Sequence, residues 1–409
     1  MISVEEATQL VLARGQDFGS ESLPTNTCTG RILAEDLYAD RDFPPFDRVT
    51  LDGIAISADG LKTKLRCFQI EGRQHAGEPP RTRQEPDGCI EVMTGAVLPL
   101  GTDLVIPVED LELRSQTATL FEGREVQARQ GVHPLGSDRK AGELLVPAGI
   151  RISGAELGIA ATLGKSRLAV RKQPRITILT TGDELVPIED TPLPYQIRRS
   201  NGESLRGILS AETDALQLRH VPDDPAALEQ ALAERVNTSD AILLCGGVSR
   251  GKKDYVPDVL AKLGVEKIFH RVRQKPGKPL YFGQIANTVI FGLPGNPVST
   301  ACCAIRYVLP WIRQSQGLSP LPACMAGLKS DQTPSTRPAR LASLTHFLPG
   351  KLQLENGCIE MFPLHGNTSG DLANLCRADG FLEIPAGDSP ITDPDQFRFF
   401  AFRQGLIGT

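Results

Sequence analysis

The chain has 409 residues, 40% of them hydrophobic, and its 44 Lys and Arg against 49 Asp and Glu give a formal charge of −5. That length exceeds one ordinary domain and predicts two to four, with ample apolar residues for real cores. The mild, scattered charge excludes a basic-patch binder of nucleic acid or membrane, and no apolar run approaches the ~18 residues of a membrane span.

The chain opens on a predicted helix to about Arg14, in which Val4, Ala7, Leu10 and Val11 share a face and Gly15 suits the end. Its first residues are acidic rather than a leader peptide, so a cytoplasmic protein is expected. The stretch from Asp40 to Asp47 is a break, because Pro44 and Pro45 cannot sit inside a helix. From about 46 to 130 short β-runs alternate with turn residues: Arg66 to Ile70, Cys89 to Met93, Asp103 to Val108 and Thr117 to Phe121. Residues 131–170 carry Gly131, Gly136, Gly142 and Gly149, then a helical pattern from Ser153 to Leu163.

From Lys172 to about Gln316 the pattern becomes strand, glycine loop, helix, repeated. Three apolar runs, Ile176 to Leu179, Ala241 to Cys245 and Thr288 to Phe291, read as buried parallel strands. Ser200-Asn201-Gly202-Glu203 fits a capping box, and Leu228, Leu232 and Val236 mark the buried face of a helix from Pro225. Pro320, Pro322 and the polar run from Lys329 to Arg337 read as a linker before a strand-rich end. The fold class is therefore α/β plus β. The predicted domains are 1–45 with 131–171 (helix and hinge), 46–130 (β-rich), 172–318 (α/β) and 328–409 (small β-barrel-like).

Ligands of an open α/β sheet bind beyond the carboxyl ends of its strands. Three glycine loops occupy that position: Thr181-Gly182-Asp183-Glu184, Gly246-Gly247-Val248-Ser249-Arg250-Gly251 with Asp254, and Pro294-Gly295-Asn296-Pro297. Glycine lets backbone N–H groups approach an anion. Asp183 and Glu184 beside a phosphate call for a cation between them, and Mg²⁺ suits one or two carboxylates plus substrate oxygens; both residues equally suit a helix N-terminus. Lys275-Pro276-Gly277-Lys278 reads as a stiff anion clamp, against the simpler role of a surface turn. Of Asp223 and Asp224, one is expected to cap the next helix and the other to be free for chemistry. Thr181, Cys245 and Ser249 have no histidine nearby in sequence to act as base, so a covalent nucleophile is not expected. The nine cysteines form no CxxC and the six histidines no ligand spacing, which predicts reduced structural thiols and no zinc site.

In family order, these motifs resemble the MoeA family of molybdopterin molybdenumtransferases, which includes the E domain of gephyrin. The likeness rests on Thr181 to Leu185, Ser200-Asn201, Gly246 to Ser249 with Asp254, Lys275 to Pro279 and Gly292 to Ser299. Outside the α/β region it continues in Pro44 to Asp47, Asp52-Gly53, Met93 to Ala96, Pro99, Gly101, Gly136, Asp138, Gly142, Gly149, Gly366, Ser369 and Gly370. The resemblance implies an elongated homodimer with a doubly wound, MogA-like α/β domain. It implies a Mg²⁺-dependent transferase that takes adenylylated molybdopterin and molybdate, releases AMP and loads molybdenum. A molybdopterin adenylyltransferase and molybdoenzymes are its implied partners. Catalytic roles are implied for Asp52, Thr94, Glu184, Asp223 and Asp254, with Glu184 and Asp254 holding metal. Molybdopterin binding is implied for Thr181, Gly182, Asp183, Ser200, Asn201, Gly246, Gly247, Ser249, Gly251, Lys275, Lys278, Pro294, Gly295, Asn296, Pro297 and Ser369. By the same resemblance Asp52 and Thr94 reach the site across a subunit interface.

The chain departs from the family pattern at named positions. Arg48 and Val49 stand where the family has Asn and Ser, Ile54 where it has Tyr, Arg199 where it has an acid, and His133 where it has a hinge arginine. Arg250 replaces an apolar residue. Arg48, Arg199 and Arg250 are read either as alternative oxyanion ligands or as marks of a relative that carries molybdopterin or handles another oxyanion or nucleotide.

Overall fold

The computed structural model describes residues 1–59, 65–247, 255–320, 324–328, 343–355, 357–364, 366, 368–387 and 396–402. The chain divides into two compact units, 22–170 and the remainder, 1–21 with 171–409. Among the described residues no helix is long and apolar enough to cross a membrane.

The larger unit is built on a six-stranded sheet. Its order is Leu216–Val221, Ile176–Thr181, Ala241–Cys245, Thr288–Leu293, Tyr281–Ile285, Glu266–His270. The first four strands pair in parallel, Tyr281–Ile285 runs antiparallel to them, and Glu266–His270 pairs antiparallel with Tyr281–Ile285. The apolar runs form strands because both faces are covered. Ile178, Leu243 and Phe291 enter one core with Leu205, Leu209 and Trp311, whereas Leu179, Ile242, Leu244 and Ile290 enter the other with Leu228, Leu232 and Leu260. A run buried on both sides has no polar face to alternate with.

The opening helix, Val4–Leu12, is capped by Ser3 and belongs to the first of these cores through Val4, Ala7 and Val11. Trp311 donates its indole N–H to the Arg14 carbonyl at 2.8 Å, which ties the helix end to the far part of the chain. The helix Pro297–Cys303 passes through a wider turn, Ala304–Val308, into Leu309–Ser315.

The C-terminal strands close a five-stranded barrel: Thr345–Glu355, Cys358–Pro363, Met325–Leu328, Gln396–Ala401 and Gly380–Ile384, which pairs back with the first. The two-residue strand Gln274–Lys275 adds to its Thr345–His346 end. Arg306, 2% exposed, meets Glu383 of the barrel at 2.7 Å and lies over the Phe400 ring. The predicted linker is thus interrupted, because Met325–Leu328 is a barrel strand. Pro322 and the run from Lys329 to Arg337 lie outside the described residues.

The smaller unit carries a six-stranded sheet in the order Leu104–Pro107, Gly53–Ile56, Gly88–Val92, Cys67–Gln74, Thr117–Leu120, Leu111–Arg114. A second core in this unit gathers Leu33, Leu37, Val146, Ile152, Leu168 and Val170 around the helix Gly154–Thr162. That helix starts on a capping box between Ser153 and Glu156.

Candidate functional site

The chain enters the sheet of the larger unit at Ile176–Thr181, adds Leu216–Val221 on one side and Ala241–Cys245 on the other. The crevice between the first and third of these is the topological switch point, where open α/β sheets bind ligands. A cavity of about 1070 Å³ lies there, and all three glycine loops line it.

The first loop turns at Gly182, whose φ of +145° belongs to glycine. A Cβ there would lie 2.8 Å from Oε2 of Glu184, so the Glu184 carboxylate folds back over the bare turn. No helix follows directly, contrary to the expected helix start. Pro187, Pro192 and Pro194 keep the next stretch irregular, and Leu185–Val186 pairs with Ile197–Arg198 instead. The helix begins at Ser200 with Arg199 as its uncapped N-terminal neighbour, so the predicted capping box is absent. Its residues are engaged elsewhere. Asn201 donates to the Gly295 carbonyl at 2.7 Å, and Glu203 pairs with Arg206.

The second loop opens at Gly246, whose φ is +105°. A Cβ there would come within 3.2 Å of the Thr181 carbonyl, so the two loops approach backbone to backbone. The third loop is braced by Thr300, whose hydroxyl bonds the Pro294 carbonyl at 2.5 Å. Asn296 donates to the Ser369 hydroxyl at 2.7 Å, and the Ser369 carbonyl accepts from Val298 N at 3.1 Å. The segment between the barrel strands Cys358–Pro363 and Gly380–Ile384 therefore supplies part of the wall.

Of the predicted residues, Thr181, Gly182, Glu184, Ser200, Asn201, Asp223, Gly246, Gly247, Lys275, Lys278, Pro294, Gly295, Asn296, Pro297 and Ser369 line this one cavity. Asp183 does not line it. Its carboxylate accepts the Asp223 N–H at 3.1 Å and so orients the neighbouring turn. Asp224 is the helix cap, accepting from Ala227 N, which leaves Asp223 as the free acid. Ser249, Arg250, Gly251 and Asp254 lie outside the described residues. Asp52 and Thr94 belong to the smaller unit and meet each other, with the Thr94 N–H and hydroxyl both donating to Asp52 Oδ1 at 2.7 Å.

The charges are arranged unevenly. Burial, then the Asp183 charge, push the Asp223 carboxyl above its usual range, and Glu184 adds to this. The Cys245 thiol in the floor is pushed up to about 12 by burial, which removes it as a nucleophile near neutral pH. Lys275 and Lys278 make no ion pair among the described residues, so both ammonium groups remain available to an anion. Arg199 lines the cavity as well, and after burial its charge is the next cause lowering the neighbouring His220.

Nothing in the local sequence singles out Arg198, Gln274 or Leu344, which also line the cavity. Arg48 is already engaged within its own unit. It donates to His133 Nδ1 at 3.0 Å, and His133 Nε2 meets Asp138 Oδ1 at 2.8 Å. Arg48 and His133 face each other across a strand pair, so two of the departures from the family pattern form one contact.

Comparison with known proteins agrees along the chain. Residues 2–164 match the MoeA N-terminal region (domains I and II), 177–314 a probable molybdopterin binding domain, and 334–393 the MoeA C-terminal region (domain IV). The molybdopterin molybdenumtransferase of Synechocystis is 36% identical over 98% of this chain and 100% of its own length. That of Haemophilus influenzae is 31% identical over 73% of each. Among solved structures, a molybdopterin biosynthesis MoeA protein from Pyrococcus horikoshii superposes with a TM-score of 0.81 at 28% identity, covering 98% of this chain and 99% of that one.

Proposed function

Because the chain belongs to the MoeA family of molybdopterin molybdenumtransferases, we propose that the switch-point cavity is where it loads molybdenum onto molybdopterin. The protein is a transferase of molybdenum cofactor biosynthesis, with molybdopterin as its substrate. The finer steps are our reading. Adenylylated molybdopterin and molybdate enter; water cleaves the phosphoanhydride, AMP leaves, and the two dithiolene thiols bind molybdenum as their protons carry off a molybdate oxygen as water.

The observation that carries this reading is the meeting of two lysines, without an ion pair among the described residues, with glycine-loop amides and two carboxylates in one cavity. Lys275 and Lys278 hold phosphate oxygens or the oxyanion. The amides at Gly182 and Gly247 would donate to a diphosphate, while the Gly246 N–H is taken by the Leu293 carbonyl at 3.2 Å. Asp223, held toward its protonated form, is the group suited to orient water or hand over a proton.

Mg²⁺ belongs to the same reading: Glu184 with Asp254 would hold it beside the phosphate oxygens. Bound there, the cation would neutralise charge developing on the phosphates. A cytoplasmic homodimer in which Asp52 and Thr94 complete the site from the neighbouring copy, and handover to molybdoenzymes, belong to the same proposal.

The test is AMP release from adenylylated molybdopterin with Mg²⁺, with and without molybdate, for wild type and Asp254→Ala. Molybdate-dependent release that the substitution abolishes supports the reading. Tight binding with no release at any molybdate concentration would leave a molybdopterin carrier.

A further inference from the structure

We propose that Gln274 and Tyr307 are positioning residues for the lysine clamp, fixing the turn between Lys275 and Lys278 so that both ammonium groups meet the ligand's phosphates together. The inference rests on the functional reading above only for the identity of the ligand.

Gln274 and Tyr307 are each 0% exposed. A buried amide needs partners for both its ends. The Tyr307 hydroxyl donates to Gln274 Oε1 at 2.5 Å, which settles which end of the amide is which. Nε2 is thereby turned to the carbonyls of Pro276, at 3.2 Å, and Gly277, at 3.3 Å. These are the two residues between the lysines. One side chain thus holds both peptide carbonyls of the turn, and one buried hydroxyl holds that side chain.

The floor beneath is tight. Cys303 Sγ lies 3.6 Å from Gln274 Nε2 and 3.6 Å from the Gly277 carbonyl. Gly277 has φ +90°, and a Cβ on it would sit 2.5 Å from Cys303 Sγ. On the other side Gln274 and Lys275 are paired with Thr345 and His346. Among the described residues the Gln274 Nε2 donors go to Pro276, Gly277 and Cys303, within this cluster rather than to the ligand. Its effect on binding must therefore pass through the lysines.

That prescribes the experiment. Binding of inorganic pyrophosphate is measured by calorimetry, and AMP release from adenylylated molybdopterin by steady-state kinetics. The proteins are wild type, Tyr307→Phe, Gln274→Met, the double variant Lys275→Ala/Lys278→Ala, and Tyr307→Phe added to that double variant. Thr177→Val, which removes a buried hydroxyl pair with Ser239 elsewhere in the sheet, is the stability control. Tyr307→Phe and Gln274→Met should each weaken pyrophosphate binding and raise KM by about tenfold, with kcat changed less than about twofold. In the lysine-free background Tyr307→Phe should cost nothing further. Thr177→Val should melt lower and bind as wild type does. The same loss with and without the lysines, or no loss in either single variant, overturns the proposal. A wild type that releases no AMP yet shows the full pyrophosphate cycle would strike the transferase reading and leave the clamp standing.

Discussion

Asp223 of the larger unit and Asp52 of the smaller are both set against a threonine, Thr181 and Thr94 respectively, yet their surroundings move them in opposite directions. Burial and the Asp183 charge raise Asp223 above the ordinary carboxylate range. The Thr94 backbone N–H, then its hydroxyl, hold Asp52 below that range. Donors do not separate them, since Asp223 too accepts from a backbone N–H, that of Asp183, and from a threonine hydroxyl; desolvation and two like charges outweigh these at Asp223, whereas at Asp52 the donors win in open solvent. If both act in one reaction, Asp52 serves as a fixed negative charge, and Asp223 is the group able to exchange a proton.

The sharpest way to break this contrast is Asp223→Asn. AMP release should fall by about 10²-fold, the size of a lost general acid or base. Stability should move the other way. A carboxyl whose pKa is raised on folding contributes stability below its unfolded pKa, near 3.8, and loses it as pH rises through the folded value. At neutral pH the asparagine variant should therefore melt slightly higher than wild type. An unchanged rate would show that the acid is merely crowded.

Thr94→Val makes a smaller test on the other aspartate. It removes one of the two donors and leaves the larger, the backbone N–H. The Asp52 midpoint, followed by carbonyl NMR, should climb part of the way toward 3.8. The depressed pKa contributes stability above the unfolded value and loses it as pH falls through the folded one, so the variant should be less stable than wild type near neutral pH and the difference should vanish in acid. A midpoint that stays put would assign the whole effect to the backbone. The smallest effect is expected for Arg48→Ala. Its contact with His133 is exposed, and its loss should change stability by less than about 1 kcal/mol in chemical denaturation. A larger change would mean that this pair, and not the Thr94 donors, governs the local electrostatics.

The parts legible in the sequence were those that depend on neighbours along the chain. Ile176 to Leu179 and Ala241 to Cys245 read as buried strands because the lack of polar alternation is local. Each strand end then locates its glycine loop, and Asp223 with Asp224 read as one cap and one free acid, with Asp224 fixed as the cap only by the structure. The misses depend on distance. Ser200 to Glu203 has the letters of a capping box, but Asn201 is drawn to Gly295, 94 residues away. Gln274 gains its role only from Tyr307, 33 residues on, and Arg48 finds His133 across 85. Met325–Leu328 is too short to announce itself as a strand between prolines and a polar run.

The helix Val4–Leu12 is made first but shares its core with Trp311, to which its end is tied across 297 residues. At the ~5–20 residues per second of synthesis, that wait is on the order of 15 to 60 s. The smaller unit, whose six-stranded sheet and cores lie within 22–170, emerges during the interval. On the ribosome, then, the middle of this protein can finish folding while its first helix, already made, is still waiting for the residues that will bury it.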